Sequence, residues 1–70
     1  MRREPVTSSN LVSVGYDPET QTLEIEFKEG RVYQYYKVPV EIYQGLMAAG
    51  SKGSYFYSHI RGRFGDTQVK

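Results

Sequence analysis

Thr22 to Val38 reads TLEIEFKEGRVYQYYKV, and the way this stretch turns back on itself decides the fold. Leu23, Ile25 and Phe27 alternate with Thr22, Glu24, Glu26 and Lys28, the period-two pattern of a strand with one apolar and one wet face. A two-residue loop at Glu29-Gly30 would set Lys28 opposite Arg31 and Phe27 opposite Val32, leaving Tyr33 and Tyr35 on the wet face beside Glu26 and Glu24. A three-residue loop, Lys28-Glu29-Gly30 with Gly30 left-handed, sets Phe27 opposite Arg31, Ile25 opposite Tyr33 and Leu23 opposite Tyr35. The longer loop is favoured because it avoids facing two cations, buries both tyrosines and leaves Glu24 opposite Gln34. It also sends Val32 and Tyr36 to the outer face.

A first strand precedes this hairpin at Leu11 to Tyr16, with Val12, Val14 and Tyr16 on one face and Leu11, Ser13 and Gly15 on the other. The intervening Asp17-Pro18-Glu19-Thr20-Gln21 is a turn, since Asp bonds its own backbone and Pro fixes φ. Val38-Pro39 ends the sheet, and Pro39 suits the first turn of a helix. That helix presents Ile42, Leu46 and Ala49, flanked by Tyr43 and Met47, and Gly50 is suited to stop it. Gly45 inside it costs about 1 kcal/mol relative to Ala. Ser54 is a candidate N-cap for a second helix running to about Arg61, with Phe56 and Ile60 on its buried face and Phe64 continuing the line. The expected architecture is α+β: a three-stranded antiparallel meander followed by two helices packed on one face. Residues 1 to 7 are expected to be a mobile N-terminal arm, 8 to 64 a single domain and 65 to 70 a frayed tail.

Seventy residues bury only about 60% of the surface that the unfolded chain exposes, so the core must be efficient. With no cysteine and one histidine, neither disulfides nor a thiolate or multi-histidine metal site supplies the deficit; seven tyrosines and three phenylalanines are the compensation. The net charge is only +1, but it is unevenly spread. Residues 1 to 30 carry three basic against six acidic side chains, whereas residues 50 to 70 carry Lys52, Arg61, Arg63 and Lys70 against Asp66 alone. No apolar run approaches a membrane span and the N-terminus lacks a signal-peptide core, so a soluble, cytoplasmic protein is expected.

The order Tyr16-Asp17, Thr22-Leu23-Glu24-Ile25-Glu26-Phe27, Gly30, Val32-Tyr33-Gln34-Tyr35, Val38-Pro39, Tyr43, Leu46, Ser51, Gly53, Tyr55-Phe56 and Ile60-Arg61 resembles the KTSC domain family. The resemblance spans roughly residues 6 to 64, and its central mark is the Tyr-x-Tyr of Tyr33 and Tyr35 followed by Val38-Pro39. The family occurs at the C-terminus of some lysyl-tRNA synthetases and as free-standing small bacterial proteins. Through the synthetase association the resemblance implies RNA binding.

Among the residues themselves, the C-terminal segment is the first candidate. Lys52, His59, Arg61 and Arg63 lie near Tyr55 and Tyr57, and cations that meet phosphates beside rings that stack on bases are the ingredients of a single-strand site. The plainer alternative is compensation of the helix dipole and ordinary solvation. Gly50-Ser51-Lys52-Gly53 is similar to the GxxG loop of KH domains, although Gly50 and Gly53 also suit a cap and a turn. Tyr33 and Tyr35 read as core residues, and Gly30 and Pro39 as structural ones; Tyr36 is the exposed ring. His59 has no nucleophile or orienting carboxylate at a useful spacing, and Asp17, Glu24 and Glu26 read as solvated rather than metal-binding side chains. The expectation is a non-catalytic binding module without catalytic residues, metal or other cofactor. RNA is the first-choice partner, with a protein partner or a second copy, met through the outer sheet face, as the alternative.

Overall fold

The computed structural model describes residues 1 to 70 and contains a five-stranded sheet in the order β1-β2-β3-β4-β5 with every neighbouring pair antiparallel. The expected meander is its centre: β2 (Leu11–Asp17), β3 (Thr22–Phe27) and β4 (Val32–Tyr35). Ile25 lies opposite Tyr33, Leu23 opposite Tyr35 and Glu24 opposite Gln34, the register of the three-residue loop. The Phe27 N–H donates to the Arg31 carbonyl at 2.7 Å and closes that loop. Two of its residues are left-handed, Glu29 (φ 76°) as well as Gly30 (φ 83°), where only Gly30 was expected. A side-chain-bearing residue there costs about 1–2 kcal/mol, which the closure of the hairpin and the packing beyond it must offset.

The termini overturn the three-stranded expectation. β1 (Glu4–Pro5) pairs with β2 through Glu4 opposite Val14 and Pro5 opposite Ser13, so the N-terminal arm is an edge strand. β5 (Asp66–Gln68) follows the helices and pairs with β4, placing Asp66 opposite Tyr35 and Gln68 opposite Tyr33, so the tail is the other edge. Val32 was expected on the outer face and available; it is 3% exposed, with its N–H given to the Lys70 carbonyl and its own carbonyl taken by Val69 N–H.

The face assignment of β2 also changes at its start. Leu11 opposes Phe27 while Ser13 opposes Glu26, so Val12 is the extra residue of a bulge. The bulge turns Leu11 into the core at 1% exposure and leaves Val12 outside at 38%, the reverse of strict alternation from Leu11 to Tyr16.

The helices are α1 (Val40–Ala48) and α2 (Lys52–His59). Pro39 is the N-cap of α1, and its carbonyl accepts from Ile42 N–H at 3.0 Å. Ser51, rather than Ser54, caps α2: its hydroxyl accepts from the Ser54 N–H at 3.3 Å. Gly50 does not take up the left-handed conformation expected of a helix stop, and α1 ends at Ala49 in extended backbone. One core joins Leu11, Val14, Leu23, Ile25 and Tyr35 of the sheet to Val38, Leu46, Phe56 and Ile60, which puts both helices on the same sheet face. At the Val38 end, Tyr16 donates to the Val38 carbonyl and stacks on Tyr43 with ring centroids 4.7 Å apart.

The opposite face is polar and closed by the N-terminal arm. Arg3 reaches over it to pair with Glu24 and donates from Nε to Ser13 Oγ at 2.9 Å. Ser13 donates to Glu26 at 2.8 Å, and Gln34 donates to the second oxygen of Glu24 at 2.8 Å. Gly15 lets the arm lie this close, since a Cβ there would sit 2.5 Å from the Arg2 carbonyl oxygen. No helix is long and apolar enough to cross a membrane.

Candidate nucleic-acid interface

At the loop end of the β3/β4 hairpin, α2 does not cover the aromatic face completely, and a cleft is left between them. Its floor is built from edge-to-face rings: Phe27 meets Phe56 at 5.2 Å and Tyr33 at 5.9 Å between centroids, and Phe56 meets Tyr35 at 5.6 Å. Two adjoining recesses of about 400 Å³ and 350 Å³ share Phe27, Arg31, Phe56 and Arg61. Tyr33, Tyr35 and Asp66 complete the larger; Lys28, Asn10 and Tyr57 border the smaller.

The cations come from two separate elements. Arg31 follows the turn, where its only carboxylate neighbour is the exposed Glu29 at 3.7 Å. Arg61 follows α2, whose last turn ends with both Ile60 and Arg61 N–H groups on the Phe56 carbonyl at 2.9 Å. Positions 57 and 61 are one helical turn apart, and the Arg61 guanidinium lies over the Tyr57 ring, 4.7 Å from its centroid. Arg61 makes no ion pair: the carboxylates that are paired are Glu24, Glu26 and Glu29. Two guanidinium groups therefore face one aromatic-walled cleft, which Glu29 and Asp66 also border and in which Arg61 has no ion-pair partner.

Of the residues singled out from the sequence as nucleic-acid contacts, only Arg61 and Tyr57 border this cleft, joined by Tyr33 and Tyr35, which were read as structural. Arg63 turns back to donate from Nε to the Ser58 carbonyl at 2.9 Å, which is the dipole-compensating role. Lys52 likewise folds onto the Ala49 carbonyl at 3.1 Å, so the GxxG-like loop does not project its lysine as a phosphate ligand. The Tyr55 and His59 rings meet at a tilt of 41° with centroids 4.5 Å apart, and Tyr55 presses onto Gly45 of α1. Tyr36 is 37% exposed but lies on the polar face, its hydroxyl 3.5 Å from Gln34. Tyr35 is buried as expected, and Tyr33 is half-buried at the cleft wall with its hydroxyl donating to Gln68 at 3.1 Å. Glu24 and Glu26 are taken up by Arg3 and Ser13, and Asp17 accepts from the Glu19 N–H.

Lys28, Arg31, Phe27 and Asp66 were missed. A signal for Arg31 was present, because the favoured register sets it opposite Phe27 and so places a cation at the end of the apolar face. Nothing comparable marks Asp66, which reaches the cleft only through β5.

The electrostatics of the cleft centre on Tyr35. Burial pushes its phenol up to about 12, with the charge of Asp66 adding to the rise and Arg61 opposing it. The phenol is thus protonated, a hydrogen-bond donor, at any pH near neutrality.

Comparison with known proteins places this architecture. The KTSC domain profile matches residues 7–64. The crystal structure of a KTSC domain protein from Yersinia pestis superposes with a TM-score of 0.93 at 43% identity, covering 99% of this chain and 97% of that one. An uncharacterized protein of Stutzerimonas stutzeri is 50% identical over 56 residues, 80% of this chain and 79% of its own length. A lysine–tRNA ligase of Nostoc is 49% identical over 49 residues, which are 70% of this chain but 9% of the ligase. Profile, sequence and fold agree: the chain belongs to the KTSC domain family.

Proposed function

We propose that this protein is a non-catalytic cytoplasmic module that binds single-stranded nucleic acid, RNA in the first place, along the cleft between α2 and the β3/β4 turn. The observation that carries the reading is the pair of guanidinium groups, Arg31 and Arg61, facing one aromatic-walled cleft while Arg61 has no carboxylate partner. Cations that track phosphates beside rings that stack on bases form the usual single-strand platform. The occurrence of a similar segment within lysine–tRNA ligases, enzymes that handle RNA by their name, supports the same choice.

Relative to the sequence-based expectation, the reading moves from the whole basic helix to its C-terminal end and across to the turn. Association through the outer sheet face has less support, since Val32 is buried and Arg3 occupies the centre of that face.

The test is a titration of a labelled single-stranded oligoribonucleotide followed by fluorescence anisotropy at low salt. The chain is expected to bind, the Arg31→Glu/Arg61→Glu double variant to lose binding, and Lys52→Glu and Arg63→Glu to keep most of it. Absence of binding by the unaltered chain, or undiminished binding by the double variant, would refute the assignment.

A further inference from the structure

The larger recess holds groups that a phosphate-binding groove does not need. Tyr35 is 5% exposed, yet its hydroxyl has no partner within the protein and opens onto the recess. Asp66 stands directly opposite it across the β4/β5 ladder, lines the same recess and pairs with no cation. A donor without a protein partner and a free acceptor thus line one recess from paired positions, with Phe27 and Phe56 as apolar walls and Arg31 and Arg61 beside them. At about 400 Å³ the space suits one nucleotide.

The chemistry of that pair discriminates between bases. A carboxylate only accepts, and its two oxygens match two adjacent N–H donors. Guanine offers that pair at N1 and the 2-amino group, with the O6 acceptor next to them for a phenolic donor. Adenine and cytosine offer one amino group, and so satisfy one carboxylate oxygen. Uracil presents a single N3–H between two carbonyls, whose oxygens would be turned toward the negative charge.

Resting on the nucleic-acid reading above, we propose that this recess is a guanine-selective base site: Asp66 accepts from guanine N1–H and the 2-amino group, and the Tyr35 hydroxyl donates to O6. Arg31 and Arg61 hold the flanking phosphates, so that selectivity and affinity reside in different side chains.

The experiment compares a short oligouridine with the same oligomer carrying one central guanosine, adenosine or cytidine, each titrated against the full chain at low salt. The guanosine oligomer is expected to bind about tenfold more tightly than oligouridine, the range of one bidentate base contact. Asp66→Asn, an exposed position whose change leaves the core untouched, should abolish that preference while binding to oligouridine persists. Tyr35→Phe should reduce it, the preference of each variant being read as the ratio of its guanosine-oligomer affinity to its own oligouridine affinity. Equal binding of all four oligomers, or a guanosine preference that survives Asp66→Asn, overturns the guanine site and leaves the nucleic-acid reading standing. Failure of every oligomer to bind overturns both.

Discussion

Arg3 and Glu24 form an ion pair across three strands, β1 to β3, on the face of the sheet that no helix covers. Glu24 is 6% exposed, a level seldom reached by a carboxylate that is not paired. The arm that carries Arg3 is held by a ladder of two residue pairs, so the ion pair and the strand depend on each other. Removing Arg3 would leave Glu24 buried with Gln34 as its remaining partner. Arg3→Ala is therefore expected to cost about 2–3 kcal/mol, below the full penalty for a broken buried pair because Arg3 itself is partly solvated. That is a large share of the roughly 3.5–10 kcal/mol expected for a chain of this length. Glu24→Gln should cost less, and the double variant should be more stable than the sum of the two losses implies. A double-mutant cycle by urea denaturation measures the coupling; additive losses would show that the pair contributes nothing of its own.

The same carboxylate sets a pH dependence. Burial alone would raise the Glu24 pKa, but hydrogen bonds from Gln34 and Arg3 and the charge of Arg3 outweigh it and hold the group below its ordinary value. A carboxylate with a depressed folded-state pKa adds stability that is fully present above its unfolded value, about 4.3, and is lost as pH falls through the folded value. Stability should thus decline below pH ~4.3 more steeply in the unaltered chain than in Glu24→Gln. Parallel pH profiles of the urea midpoint for the two proteins would contradict this.

The division between what the residues announced and what they hid follows from period and distance. Leu23, Ile25 and Phe27 alternate strictly, and the facing of two cations disfavours the shorter loop, so the central hairpin was legible and its register favoured. The edge strands were not. Glu4–Pro5 and Asp66–Gln68 are exposed throughout and show no apolar alternation; they become strands only because β2 and β4 offer open edges. Val12 shows the limit of alternation itself, since one bulged residue exchanged the expected faces of Leu11 and Val12. The candidate site divides in the same way. Tyr57 and Arg61 are a helical turn apart and could be paired on paper, whereas Arg31 and Asp66 join them only through strand pairing across the chain.

Gly45 gives a prediction opposite to helix propensity. In an exposed helix Gly→Ala gains about 1 kcal/mol, but a Cβ on Gly45 would stand 2.1 Å from the Tyr55 hydroxyl oxygen and 2.7 Å from the ring carbon that bears it. Gly45→Ala should force that ring, and with it the α1/α2 packing, to shift, at a cost of about 1–3 kcal/mol. In a Tyr55→Ala background the clash is absent, and Gly45→Ala should become stabilising. Thermal unfolding of the four proteins reads the sign directly, and a stabilising Gly45→Ala in the unaltered chain would show that Tyr55 moves aside at no cost.

Salt dependence separates the two arginines of the cleft from the two basic side chains that fold back on the backbone. Each phosphate contact with a single strand contributes about −0.7 to the slope of log K against log salt. Arg31→Ala and Arg61→Ala should each make the slope shallower by about that amount, whatever the base sequence of the oligomer. Arg63 and Lys52 are each turned back by one hydrogen bond, to the Ser58 and Ala49 carbonyls respectively. Their alanine variants should leave the slope unchanged while loosening the end of α2 and the loop before it. Arg61→Ala should also release the Tyr57 ring that its guanidinium covers, so its loss of affinity at a fixed salt concentration should exceed that of Arg31→Ala. Slopes measured by anisotropy from low to moderate salt test the assignment; a slope that responds to Arg63→Ala as strongly as to Arg61→Ala would move the phosphate path off the cleft and onto the exposed end of the helix.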